Sequence, residues 1–133
     1  MNVTPLRAGL DAISYHDRLA NNWERRYQKT SFQARLVALA ECLDSEDLSG
    51  TEWLDAGCGT GTLSRWLAER GCAVLGVDAA PQMTNIAAML ANSGASHGRL
   101  RFQHIETIAR LPRDSNSADG ILCSSVLEYV PDP

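Results

Sequence analysis

The sequence predicts an α/β fold built on a parallel sheet with crossover helices. Three observations carry that expectation. After residue 51, short apolar runs alternate with longer segments of helical spacing. A glycine loop, "DAGCGTG" (residues 55 to 61), stands between the first apolar run and the first of those helices. Asp78 then closes the second apolar run, about 20 residues beyond the loop, the place of a ribose-binding acid in nucleotide-binding sheets. Strand and helix alternating in this way bury a parallel sheet between crossover helices.

The chain has 133 residues and reads as one domain, 1–133. Residues 1–48 form a helical cap and 49–133 the core. Residues 1 to about 10 read as a loose terminus. Leu10 to Leu43 is helical and charged, with interruptions near Asn21-Asn22 and Lys29-Thr30-Ser31. Phe32, Leu36, Leu39, Ala40 and Leu43 fall at helical spacing, and Ser31 is placed to cap that helix. "DSEDLSG" is a polar connector, and Glu52 to Ala56 is a short strand.

Behind the glycine loop, Thr62 to Arg70 reads as a helix with Leu63, Trp66 and Leu67 on one face and Gly71 as its C′ residue. "CAVLGV" (72–77) is a buried parallel strand. Pro81 opens the next helix, which runs through Met83, Ile86, Ala87 and Leu90 to the Asn92-Ser93-Gly94 region. "RLRFQHI" alternates as a third strand. "ETIARLPRDSNSADG" is a turn-rich connection, and "GILCSS" is a fourth strand, after which "VLEYV" begins a new element.

Composition narrows the function. The net charge is −4, which argues against nucleic acid as the main partner, because phosphate binding needs a basic face. The basic group Arg18, Arg25, Arg26, Lys29 and Arg35 reads as a solvated helix face. The four cysteines have neither C-x-x-C spacing nor a His cluster beside them, so no metal site is expected. They read as reduced, with Cys72 and Cys123 as small core residues. The N-terminal segment has no apolar signal region. No apolar run approaches the ~18 residues that a membrane span needs. A cytoplasmic protein without a membrane span is expected.

The glycine loop restricts the ligand. A phosphate-binding loop of the G-x-x-x-x-G-K-[ST] kind needs a lysine, and none is present. The dinucleotide fingerprint G-x-G-x-x-G/A fails at Thr62, which leaves an NAD(P)-binding domain as a minor alternative. The spacing is G-x-G-x-G, with Asp55 two residues ahead. Gly57, Gly59 and Gly61 let a ligand approach the backbone where a Cβ would clash. Asp78 is placed to accept hydrogen bonds from both hydroxyls of a ribose. The loop therefore suits an adenosine-like ligand.

"WLDAGCGTG", with Asp78 closing "AVLGVD" and "AAPQM" after it, resembles the class I S-adenosylmethionine-dependent methyltransferases. It is most similar to their small-molecule branch, which methylates quinone and tetrapyrrole precursors. "LPRDSNSADGILCSSVLEYVPDP" resembles that branch's fourth-strand segment, and "YHDRLANNWERRY" its N-terminal cap. The resemblance implies a Rossmann-like doubly wound sheet of seven strands ordered 3-2-1-4-5-7-6. This chain supplies the 3-2-1-4 part and lacks the C-terminal strands.

The resemblance also implies roles. Asp55, Ala56, Gly57, Cys58, Gly59, Thr60 and Gly61 lie against the methionine part and ribose of S-adenosylmethionine. Asp55 organises water or the cofactor's amino group. Asp78 grips the ribose, Ala79 and Met83 pack on the adenine, and Ile105 and Glu106 flank its edge. Cys123 and Ser124 sit beneath the sulfonium, and Trp23 and Tyr27 close over it. Two departures stand out. The family often has an acid where Ile105 stands, the nearest here being Glu106, and often an aromatic where Ala118 stands.

Methyl transfer from a sulfonium asks the protein mainly for alignment and exclusion of water. His16, Glu128 and Tyr129 are candidates for a base, and the sequence assigns no catalytic residue among them. His97 reads as a solvated loop residue and His104 as a satisfied strand residue. Two functions remain. One is methyl transfer, O- or C-directed, to a small-molecule acceptor, yielding S-adenosylhomocysteine. The other is a cofactor-binding module without turnover. The fourth strand is expected to be an apolar edge through which two copies form a homodimer, unless Val126 to Pro133 covers it.

Overall fold

The computed structural model describes residues 5–26, 30–93, 99–124 and 126. The elements run α1 (Pro5–Arg26), α2 (Thr30–Leu43), β1 (Glu52–Ala56), α3 (Thr62–Glu69), β2 (Ala73–Asp78), α4 (Pro81–Ser93), β3 (Leu100–His104) and β4 (Gly120–Leu122). The sheet order is β3-β2-β1-β4, and every pairing is parallel. The expected 3-2-1-4 arrangement is the one found.

Alternate residues of a strand face opposite sides of the sheet. From β1, Trp53 packs with Leu67, Cys72 and Val74 beneath α3. Leu54 points the other way and joins Val77 and Ile105, covered by Ile108 and Leu111 of the connection before β4. A third cluster joins Ala20 of α1 to Ala80 and Met83 at the start of α4. Register aligns the strand ends, with Ala56 beside Val77 and Asp78 beside His104. The carboxyl ends of β1 and β2 therefore open at one rim.

Several expectations change. Helix α1 begins at Pro5, not after a loose terminus of ten residues, and runs through Asn21 and Asn22 without a break. Pro suits the first turn of a helix, where its missing N–H costs nothing. The two asparagines are exposed, so they cost only weak propensity, which Ala20 and Trp23, packed against α4, override. Helix α2 starts at Thr30, which puts Ser31 inside the helix and not at its cap. Strand β4 is three residues long, shorter than the expected six. Cys123 lies beyond its end and is exposed, not a core residue, whereas Cys72 is buried. Tyr27, Lys29, His97, Glu128 and Tyr129 lie outside the described residues.

Candidate functional site

The rim is built by the turn that leaves β1. Gly57 and Cys58 both donate backbone N–H to Val77 O, at 2.8 and 2.9 Å, which ties the loop to the end of β2. Gly57, Gly59 and Gly61 have φ of 76°, 56° and 84°, values an L side chain adopts only with strain. The space a Cβ would need is also taken at each. A Cβ on Gly59 would stand 3.2 Å from the Trp23 ring nitrogen, and one on Gly57 would collide with Val126. Thus α1 lies over the loop from one side and Val126 abuts it from another.

Asp78 sits where β2 ends. Its Oδ2 accepts from Gly59 N at 2.9 Å and its Oδ1 from Ala80 N at 2.9 Å. Burial pushes this carboxyl up from its ordinary range, against the two N–H groups and the charge of His16 on α1. Asp55 is 2 % exposed and accepts from Ser64 Oγ of α3 at 2.5 Å. It is raised to about 6, chiefly by burial; the Ser64 bond works against the rise and the charge of Asp78 adds to it. Cys58 lies in the same pocket of negative charge, and burial followed by Asp55 and Asp78 pushes its thiol well up. It is a packing thiol, not a nucleophile.

The remaining candidates divide. Ala56, Cys58, Thr60, Ala79 and Met83 are buried around the loop, with Met83 packed against Ala20 and Ala80. Ile105 donates its N–H to Asp78 O at 3.0 Å, and its side chain belongs to the core below the sheet. Glu106 follows it and is exposed; Ser124 is half-buried beyond β4. His104 Nε2 lies 3.1 Å from Ala79 O, so it is a satisfied strand residue.

Two residues that sequence reasoning passed over organise this rim. Glu24 accepts from the Thr60 hydroxyl, from the Thr62 hydroxyl at 2.9 Å and from Arg65 Nη2 at 3.2 Å. Asp17 accepts from Gln82 N at 2.9 Å, at the start of α4. The signal was in the spacing: His16, Asp17, Ala20, Trp23 and Glu24 share one helix face. What the pattern withheld was the partner of that face. A cavity of about 640 Å³ between Leu75, Arg101, Gln103, Leu111 and Arg113 contains no residue of the glycine loop. Among the described residues no group of His, Cys, Asp or Glu could hold a metal ion, and no helix is long and apolar enough to cross a membrane.

Comparison with known proteins fits this geometry. Residues 54–133 match the family described as "Methyltransferase domain". The ubiquinone biosynthesis O-methyltransferase of Psychrobacter cryohalolentis is 37% identical over 86 residues, 65% of this chain and 34% of that protein. That of Xanthomonas euvesicatoria is 32% identical over 117 residues, 86% of this chain and 48% of that protein. The magnesium protoporphyrin IX methyltransferase of Synechocystis PCC 6803, solved with bound SAH, superposes with a TM-score of 0.70 at 27% identity. The match covers 80% of this chain and 53% of that one. The chain thus spans between a third and a half of the length of these two O-methyltransferases.

Proposed function

The chain belongs to the class I S-adenosylmethionine-dependent methyltransferases, and from that premise we propose that its glycine loop holds S-adenosylmethionine for methyl transfer to a small-molecule acceptor. One observation carries the reading: three left-handed glycines follow β1, and the middle one donates its N–H to the carboxylate of Asp78 at the end of β2. The residues fit the cofactor. Each carboxylate oxygen of Asp78 has one backbone partner and keeps lone-pair capacity for a ribose hydroxyl. Asp55 and the backbone from Ala56 to Gly61 would hold the methionyl part. Ala79, Met83 and Glu106 would border the adenine. Cys123 and Ser124 would stand beneath the sulfonium.

When bound, the cofactor supplies a methyl group on an already activated leaving group. The protein's part is alignment and exclusion of water. Trp23 contributes by covering Gly59 from α1. The ubiquinone biosynthesis O-methyltransferases and the magnesium protoporphyrin IX methyltransferase among its relatives support a small-molecule acceptor; the proposed methylated atom is oxygen or carbon. A cytoplasmic location goes with this reading, as does a homodimer formed across β4. The alternative is a cofactor-binding module without turnover.

The test is a calorimetric titration with S-adenosylhomocysteine, with NADH and ATP as controls, on the wild type and Asp78→Ala. Selective binding of S-adenosylhomocysteine, weakened by about tenfold or more in the variant, is the expected outcome, since a charged acceptor is lost from a part-buried site. Binding of NADH in preference would overturn the reading. Turnover with quinone-type phenols, followed by mass spectrometry, separates the enzyme from the module.

A further inference from the structure

Helix α1 brings a carboxylate to the start of each helix that follows a strand at the rim. Asp17 meets Gln82 N at the start of α4. Glu24 meets the start of α3, where the Thr60 hydroxyl, the Thr62 hydroxyl and Arg65 Nη2 all donate to its Oε1. Arg65 Nη2 also reaches Oε2 at 3.2 Å, and Nη1 donates to Thr60 O at 2.7 Å. Two hydroxyls and a guanidinium converging at a helix N-terminus form an anion cradle. In dinucleotide-binding sheets the pyrophosphate lies at the N-terminus of this same helix, the one after the first strand.

We propose that Glu24 is a specificity-determining residue: it fills this cradle with the protein's own carboxylate and so bars phosphate-bearing nucleotides from the adenosyl site. The proposal rests on the reading of the glycine loop as an adenosyl site and adds what that site rejects. The discrimination has two parts. Glu24 occupies the donors that a phosphate would need, and its charge repels the phosphate. S-adenosylmethionine carries no phosphate and loses nothing by either. The missing G-x-G-x-x-G pattern is then not the whole basis of selectivity, because the donors for an anion are present and already used.

The experiment titrates wild type, Glu24→Gln and Glu24→Ala with S-adenosylhomocysteine, adenosine and ADP, with circular dichroism to confirm folding. Glu24→Gln keeps the side-chain size and removes the charge. Glu24→Ala also vacates the cradle. The expected result is a rise of at least about tenfold in the ratio of ADP to adenosine affinity in a folded variant, as charge-assisted bonds to Arg65 become available to a phosphate. The gain should fade with added salt. An unchanged ratio in both variants overturns the proposal. A wild type that fails to bind S-adenosylhomocysteine sinks the cofactor reading alone, since the ADP ratio still decides the role of Glu24.

Discussion

Asp55 is a carboxylate held almost entirely out of water, with one hydroxyl donor and a second acid, Asp78, near enough to raise it further. Its folded value of about 6 lies above the ordinary 3.8, so the native state binds the proton more tightly than the unfolded chain. The cost of ionising it is absent below the unfolded value, grows as pH rises between the two, and is fully present above about 6. That cost is about 3 kcal/mol. Asp55→Asn should therefore gain stability over the wild type as pH rises through this window, with little difference at its acid end. Urea unfolding at several pH values reads the slope. If Asp55 meets the cofactor's amino group, S-adenosylhomocysteine binding should strengthen over the same rise. Gly61 tests the loop differently. Its φ is 84°, and a Cβ there would fall 2.5 Å from the Phe102 ring. Gly61→Ala should lose about 2 kcal/mol or more, through left-handed strain and overpacking together. A denaturation midpoint equal to the wild type's would contradict this.

At the scale of elements, α1 is the piece that turns a strand-end rim into a cleft. Its contacts are unlike those of the sheet. Ala20, 1 % exposed, is the small residue that lets the helix settle on Ala80 and Met83, and the carboxylates to either side anchor it to α4 and α3. Ala20→Leu should overpack this contact at a cost of about 1–3 kcal/mol. Hydrogen exchange should quicken in α1 while β1 and β2 stay protected. Uniform loss of protection throughout would show that α1 and the sheet fold as one unit.

For the whole molecule, the notable surface is the face over β4. Ile121 is in register with Leu54, yet it is 61% exposed while Leu54 is 1% exposed. The connection bearing Ile108 and Leu111 covers the sheet over β1 and β2, and Ile121 lies outside that cover. Exposed apolar strands at an edge pair readily with other chains. Scattering at rising concentration should show association of the wild type, reduced in Ile121→Lys. A wild type that stays monomeric at high concentration rules out the proposed homodimer.

The order of strands and helices was legible because each element carries its own periodicity and its own punctuation. Glu52 to Ala56, Pro81 and the glycine loop lie where local chemistry puts them, since Pro, Gly and alternating apolar residues act on the neighbouring backbone. Asp78 was legible for the same reason, as the acid that ends an apolar run. Only tertiary structure decided the rest. The asparagines that look like a break in α1 are tolerated because packing elsewhere on the helix outweighs a weak propensity. Cys123 looks like core but is exposed, because burial depends on what covers a strand's end. Glu24 and Asp17 look like ordinary surface acids. Their roles come from donors far along the chain, at Thr62, Arg65 and Gln82, and no local pattern encodes a partner brought close by the fold.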